Sequence, residues 1–205
     1  MEKLEFPLTT SFQVALIEAG CDEAGRGCLA GDLFAAAVIL PAGFSHPHLN
    51  DSKKMSLRRR NELRHIIEQE AIAWAVEPLS AARIDEINIL NASFEAMSMA
   101  VKRLSTTPEL LSIDGNRFKT ELQIPFNCIV KGDGKYANIA AASVLAKTYR
   151  DEYMERIDEE YPQYGWKKNK GYPTLQHRLA IAEHGLSPYH RLSFNSGVGQ
   201  LKIEF

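Results

Sequence analysis

The sequence has little that would point to secretion or disulfide bonding. It contains three cysteines, Cys21, Cys28 and Cys128, an odd count without metal-binding spacing. We interpret them as reduced thiols in or near the core of a cytoplasmic protein. The first residues carry Glu2 and Glu5 and lack the basic start and apolar run of a signal peptide.

Long apolar runs, strong net charge and nucleotide-binding motifs are also missing. The longest apolar stretch, Leu33 to Pro41, is far shorter than the roughly 20 residues of a membrane span, so no membrane association is expected. There is no Walker lysine motif and no dinucleotide glycine pattern, which argues against a nucleotide cofactor. The net charge of −2 gives no overall signal for nucleic acid. Basic residues are nevertheless concentrated at Lys53 to Arg60 and at Trp166 to Arg191, which fits either a nucleic-acid groove or an ordinary solvated face.

What is present is the alternation of strands and helices of an α/β protein with a mixed sheet. Apolar runs predict strands at Val14 to Cys21, Leu33 to Leu40, Ala73 to Leu79, Leu110 to Ile113 and Phe126 to Val130. Apolar periodicity predicts helices at Ser56 to Ala71, at Ser80 to Leu104, between Gly134 and Pro162, and at Thr174 to His184. The length suits one domain, residues 1–205, in which 162–205 is expected to form a basic substrate-binding segment.

Several acidic residues follow the ends of these strands. Asp22 and Glu23 end the first, Asp114 ends the fourth, and Asp133 follows the fifth, just before the long helix. Burying a carboxylate at the end of an apolar strand costs free energy unless the carboxylate is paired or binds a cation. Several carboxylates at one sheet edge offer the oxygen ligands that Mg²⁺ and Mn²⁺ prefer. Two such ions about 4 Å apart can support phosphodiester cleavage. The alternative is a set of plain turns, because Asp-Gly commonly ends a strand.

A glycine-rich loop, Gly25-Arg26-Gly27, follows the first pair of carboxylates. Its backbone amides can approach a ligand closely because glycine has no side chain, and its arginine suits phosphate. Such loops are common, so this one is weak evidence by itself.

Motifs along nearly the whole chain resemble those of bacterial ribonuclease HII. In chain order they are Cys21 to Gly27 with Leu29 to Gly31, Asn50 to Lys54, Asp114-Gly115, Lys131 to Asp133, Ile139 to Lys147 with Arg150-Asp151, Tyr161 to Tyr164, Lys170 to Thr174, and His177 with His190 to Phe194. Their number and order make the set far more specific than any one motif.

The resemblance implies a ribonuclease H-like fold, with a mixed central sheet flanked by helices and a short helical C-terminal part. It implies that four carboxylates bind two Mn²⁺ or Mg²⁺ ions. Asp22 would bridge both ions, Glu23 and Asp114 would help hold the ion on the leaving-group side, and Asp133 the ion next to the attacking water. The implied reaction is hydrolysis on the 5′ side of ribonucleotides, in RNA–DNA hybrids or singly embedded in duplex DNA. It leaves 3′-hydroxyl and 5′-phosphate ends and removes ribonucleotides from DNA. Nothing in the sequence suggests more than a monomer.

The resemblance also assigns the contacts to the nucleic acid. Backbone groups of Gly25, Arg26 and Gly27 would read the 2′-hydroxyl, which distinguishes RNA from DNA. Tyr172 would pack against the neighbouring deoxyribose and hydrogen-bond the same hydroxyl, since tyrosine has a flat apolar face and a polar tip. Candidates for phosphate contacts are Ser52, Lys53, Ser143 and Lys147, of which the last could equally be a solvated helix residue.

Other polar residues near these motifs are expected to act outside the metal site. Asp151 is interpreted as a salt-bridge residue inside the long helix, and His177, His184 and His190 as surface or phosphate-contacting residues. Cys21 should face the core, because neighbouring strand residues point to opposite faces.

The sequence departs from the family pattern at two positions. Family members often carry proline where this chain has Cys28 and Asp32. Asp32 is expected to lie in solvent at the hairpin or to disfavour DNA slightly.

Three alternatives remain open. Ribonuclease HIII shares the fold but usually has an added N-terminal domain, for which Met1 to Phe12 is too short, and a different glycine loop. A non-catalytic nucleic-acid-binding module would have lost a carboxylate, and all four are present. A metal-binding protein without a nucleic-acid role is disfavoured by the basic stretches and by Tyr172.

Overall fold

A five-stranded mixed sheet forms the centre of the computed structural model, which describes residues 8–13, 15–49 and 55–197. The strands are β1 (Glu18–Ala24), β2 (Leu33–Ile39), β3 (Ala73–Leu79), β4 (Leu110–Asp114) and β5 (Phe126–Ile129). Their order is β3-β2-β1-β4-β5. The first three are antiparallel neighbours, whereas β1, β4 and β5 run parallel, so the predicted mixed sheet is confirmed.

Helices cover both faces of the sheet. They are α1 (Leu57–Glu70), α2 (Ala81–Arg103), α3 (Ala137–Glu160), α4 (Trp166–Asn169) and α5 (Leu175–His184). Alternate residues of β2 face opposite layers, Ala35 and Ala37 toward α2 and Ala36 and Val38 toward α1 and α3. Each face therefore has its own apolar core, and no helix of the described residues is long and apolar enough to cross a membrane.

The boundary of β1 differs from the prediction. The strand was expected at Val14 to Cys21, of which Val14 lies outside the described residues. It runs over Glu18–Ala24 and includes both carboxylates, with Asp22 opposite Ala36 and Glu23 opposite Ala35. The ladder continues beyond the apolar run because its hydrogen bonds join backbone groups whatever the side chains are. Cys21 is buried in the core on the α2 side, as expected.

The predicted helix over Ser80 to Leu104 is present but interrupted. Asn88 has a non-helical backbone with φ 65° and ψ 161°. Its side-chain oxygen accepts hydrogen bonds from the amides of Leu90 and Asn91 and so begins the second half of α2. Apolar periodicity alone did not reveal this break.

The chain after α3 packs back onto the hairpin between β1 and β2. Trp166 of α4 and Ile181 of α5 form an apolar cluster with Leu29 and Ala30 of the hairpin and Met154 of α3. This packing places the segment around Tyr172 beside the glycine loop.

Candidate active site

Parallel pairing brings carboxylates from three successive places in the chain to one edge of the sheet. Cys21 pairs with Ile113, so Asp22 and Asp114 follow at neighbouring positions of β1 and β4. Asp114 then accepts a hydrogen bond of 2.7 Å from the amide of Gly132, in the turn that carries the buried Asp133. The positions expected for all four carboxylates at strand ends and in the turn after β5 are therefore observed.

Asp22 lies in the middle of this row and has the most perturbed environment. Its side chain is almost completely buried, and burial raises its pKa well above the usual range, with further increases from the charges of Glu23 and Asp114. Hydrogen bonds from the Ser143 hydroxyl and, at 2.7 Å, from the Glu23 amide oppose that rise. Burial, together with repulsion from the neighbouring carboxylates, therefore outweighs the stabilisation that these hydrogen bonds supply.

The carboxylate oxygens of the row fit hard divalent cations, although in the described residues they do not surround an ion on all sides. Its donors are carboxylate oxygens, and Asp22 has two like charges beside it in a buried position, an arrangement that a cation would stabilise. Glu23 pairs with Arg26 at 3.2 Å. Within the described residues, no three His, Cys, Asp or Glu side chains are grouped closely enough to enclose one metal ion. Metal binding by these four residues stays a prediction.

Helix α3 reaches the row because Gly20 lets it lie directly on β1. A Cβ atom at Gly20 would come within 2.3 Å of the carbonyl carbon of Asn138, so only glycine permits this approach. Ser143 then contacts Asp22, and Lys147 and Asp151 follow at helical spacing on the same face.

Asp151 is confirmed as a salt-bridge residue of α3. It pairs with Lys147 at 2.6 Å and with Arg60 of α1 at 3.8 Å. Burial lowers the pKa of Lys147, and the charge of Asp151 acts against that change. The carboxylate therefore helps to keep Lys147 cationic at its partly buried position.

A pocket of about 210 Å³ opens beside Glu23. Apart from Glu23 and Ala24, its lining consists of predicted substrate-binding residues, namely Gly25, Arg26, Gly27, Ser143, Lys147 and Tyr172. Ser52 and Lys53 lie outside the described residues. Two larger cavities, of about 270 and 460 Å³, contain none of the predicted site residues. The sequence-predicted contacts thus converge on one pocket that shares Glu23 with the carboxylate row.

Two histidines expected at the surface are instead buried, which corrects that prediction. His177 and His190 are 0% and 3% exposed, with Nε2 atoms 3.2 Å apart, whereas His184 is exposed as expected. They lie there because Trp166 and Tyr164 build an aromatic cluster around them.

The partners of the buried pair determine which nitrogen carries each proton. Trp166 donates to Nε2 of His177 at 2.9 Å, so Nδ1 of His177 is protonated and donates to the Tyr172 carbonyl at 3.0 Å. The Ser187 amide donates to Nδ1 of His190 at 2.9 Å, so its Nε2 donates to His177. Both rings are neutral, and together they hold the backbone of Tyr172.

The buried pair of His177 and His190 predicts a contribution to folding stability that is lost in acid. Burial, then the neighbouring His177, lowers the pKa of His190 to about 4, against an ordinary value of 6.5. Between these values the unfolded chain binds a proton that the folded chain does not, so the contribution of His190 to stability is complete above pH 6.5 and is lost toward pH 4. The difference in the free energy of unfolding between the unchanged protein and His190→Asn, measured with urea, should be largest at neutral pH, where the variant is less stable, and should shrink as the pH falls through this window. An unchanged pH slope in the variant would remove His190 as the cause.

Two further polar residues are also more buried than expected. Asp32 does not lie in solvent: it is half-buried, accepts from the Ala81 amide at 3.2 Å and is hydrogen-bonded to the Tyr153 hydroxyl. Arg191, counted in the basic stretch, is 2% exposed and donates to backbone carbonyls of the glycine loop. Asp32 therefore binds the first amide of α2, whose N-cap is Ser80, and Arg191 supports the glycine loop. The sequence pattern had indicated neither role.

Comparison with known proteins decides the family. The family model described as Ribonuclease HII matches residues 19–196. A Ribonuclease HII of Bacteroides thetaiotaomicron is 63% identical over 191 residues, which cover 93% of this chain and 96% of that protein. The chain belongs to the ribonuclease HII family. It is therefore a ribonuclease of the H type, a metal-dependent endoribonuclease that acts on RNA–DNA.

Solved structures show the same fold at low sequence identity. The ribonuclease H2 from Pyrococcus horikoshii OT3 superimposes with a TM-score of 0.76 at 21% identity, covering 89% of this chain and 95% of that one. Bst-RNase HIII in complex with Mn²⁺ gives a TM-score of 0.66 at 18% identity, covering 87% of this chain and 67% of that one. The predicted ribonuclease H-like fold is confirmed.

Proposed function

We propose that this ribonuclease HII hydrolyses the phosphodiester bond on the 5′ side of ribonucleotides, both in RNA–DNA hybrids and at single ribonucleotides embedded in duplex DNA. The products are 3′-hydroxyl and 5′-phosphate ends, and the role is removal of ribonucleotides from DNA. The observation that carries the proposal is that Glu23 belongs both to the carboxylate row and to the pocket lined by the glycine loop and Tyr172. A strand bound in the pocket therefore passes beside the carboxylates.

Two divalent cations, Mn²⁺ or Mg²⁺, are the proposed cofactors, held by Asp22, Glu23, Asp114 and Asp133. The buried like charges around Asp22 support this assignment, and the fold-related Bst-RNase HIII was crystallised with Mn²⁺. When bound, such ions activate a water molecule and stabilise negative charge on the leaving oxygen.

The protein's own side chains bind and orient the substrate. Arg26 and Lys147 place positive charge in the pocket, where phosphate oxygens can accept hydrogen bonds. Ser143 is hydrogen-bonded to Asp22 and lines the pocket, so it is suited to hold the central carboxylate next to a phosphate. Tyr172 lines the same pocket, with Lys147 Nζ 6.0 Å from its ring centroid, and offers that ring to a sugar. It belongs to a segment, residues 162–205, that we propose binds the substrate.

The direct test compares three labelled duplexes with Mg²⁺ or Mn²⁺: one with a single ribonucleotide, one all-DNA and one extended RNA–DNA hybrid. We expect cleavage of the first at its 5′ side, cleavage of the hybrid, and none of the all-DNA duplex. A chelator should stop both reactions. Cleavage of the hybrid alone would move the assignment toward ribonuclease HIII-like specificity. Binding without any cleavage would indicate a non-catalytic module.

A further inference from the structure

Arg191 is a buried arginine whose side chain is bound by one backbone loop. Its Nη1 donates to the carbonyl oxygens of Gly25 at 2.8 Å and of Arg26 at 3.1 Å. Its Nε and Nη2 donate to the Gly31 carbonyl at 3.0 and 2.8 Å. The guanidinium therefore joins both ends of the loop that lines the pocket.

The hydrogen bonds to Gly25 and Arg26 determine which way two peptide groups face. Every peptide bond of the described residues is trans, so the N–H of a residue points away from the carbonyl of the residue before it. Because the Gly25 and Arg26 carbonyls point inward to Arg191, the amides of Arg26 and Gly27 point outward. Neither amide donates a hydrogen bond within the part of the chain that the structure describes. Both residues line the pocket, so both donors are available to a ligand there.

The positive charge of Arg191 makes the two outward-facing amides stronger hydrogen-bond donors. Among the described residues its guanidinium contacts the loop carbonyls directly, and the carboxylates of Asp32 and Asp85 stabilise its charge from beyond ion-pair distance. Burial lowers its pKa to about 10, which leaves it cationic at neutral pH. A hydrogen bond to a cation polarises the accepting peptide group, and the N–H on its other side becomes a stronger donor.

We propose that Arg191 is a positioning residue for ribose recognition: by holding the Gly25 and Arg26 carbonyls it directs the Arg26 and Gly27 amides toward the 2′-oxygen of the ribonucleotide. This inference rests on the proposed function, because it concerns how the same pocket distinguishes ribose from deoxyribose. It gives a buried arginine outside the pocket a measurable part in selectivity.

The test measures binding selectivity in a protein that does not cleave. In an Asp22→Asn background, dissociation constants are measured for a duplex with one ribonucleotide and for the matching all-DNA duplex. The ratio of the two constants is the readout, because general loss of stability or of charge weakens both complexes alike. Arg191→Lys keeps the charge but cannot hold the three carbonyls, so we expect it to reduce the ratio by about tenfold, the typical effect of one lost hydrogen bond. Met97→Ala, a buried change on α2 across the sheet, should lower stability and leave the ratio unchanged.

Each outcome decides between distinct explanations. If Arg191→Lys is folded and its ratio equals that of the background protein, Arg191 is only a structural support and the proposal is wrong. If the background protein itself shows no preference for the ribonucleotide, the proposed substrate specificity fails first, and the inference fails with it.

Amide hydrogen exchange in the background protein keeps the test independent of whether Arg191→Lys folds. The Arg26 and Gly27 amides should exchange rapidly in the free protein. The duplex with one ribonucleotide should protect them more than the all-DNA duplex does. Amides already protected in the free protein, or protected equally by both duplexes, would contradict the outward orientation.

Discussion

Asp22→Asn is expected to abolish cleavage, by about 10³-fold or more, and at the same time to stabilise the metal-free protein. A loss of this size corresponds to about 4 kcal/mol of activation free energy at about 1.4 kcal/mol per factor of ten. The substitution removes one charge from the centre of the carboxylate row, so the site loses its affinity for divalent cations. Single-turnover cleavage of the duplex with one ribonucleotide measures the effect.

The gain in stability follows from the same charge. The pKa of Asp22 is raised in the folded protein, by burial first and then by Glu23 and Asp114. The folded state therefore binds a proton more tightly than the unfolded state, and stability falls as pH rises above the ordinary carboxyl pKa of 3.8. Asparagine keeps an oxygen that can accept from Ser143 but carries no charge. With a chelator present, urea unfolding at neutral pH should show a more stable variant with a weaker pH dependence.

Glu18→Gln is the matched control for this prediction. Glu18 is also buried in β1, but it accepts hydrogen bonds from the amides of Phe12 and Gln13 and from Asn138 Nδ2, all at 2.9 Å or less. Its charge is thus compensated, and the substitution should lower stability and preserve cleavage. A destabilised Asp22→Asn protein would contradict the repulsion inferred at the row, and retained cleavage with Mg²⁺ would refute the assignment of the site.

Tyr172→Ala is expected to reduce cleavage at single ribonucleotides by about tenfold to a hundredfold, the range for loss of one aromatic contact with a nucleic acid. Extended hybrids should lose less, because further ribonucleotides and their phosphates contribute to binding. Tyr172 is 41% exposed and lines the pocket together with the glycine loop, which leaves its ring accessible to a sugar. The ratio of kcat/KM values on the two substrates is the measurement.

Two more variants distinguish the contribution of the Tyr172 ring from that of its hydroxyl group and from that of a nearby exposed side chain. Tyr172→Phe keeps the flat face and should show an intermediate loss, because only the hydrogen bond to the 2′-hydroxyl is removed. Leu175→Ala, at an exposed position three residues further along, should leave both activities unchanged. Equal losses on both substrates for Tyr172→Ala would remove its proposed role as a sensor of single ribonucleotides.

The sequence determined most of the secondary structure and the positions of the chemically active side chains. Runs such as Leu33 to Leu40 and helix starts such as Ser56 are local features, because alternation and capping act within a few residues. Parallel strands place their carboxyl ends at one sheet edge, so the convergence of Asp22 and Asp114 also followed from the order of elements.

The tertiary structure alone decided which polar residues are buried in the loops, because loop residues have no periodicity that reports burial. His177 and His190 look like members of a basic surface until Trp166 and Tyr164 enclose them. Arg191 likewise becomes a loop support only because the chain after α3 returns to the β1–β2 hairpin, more than 150 residues away in sequence, where backbone carbonyls accept its hydrogen bonds. Such contacts depend on long-range packing that supplies a buried donor with acceptors, and no local pattern specifies that packing.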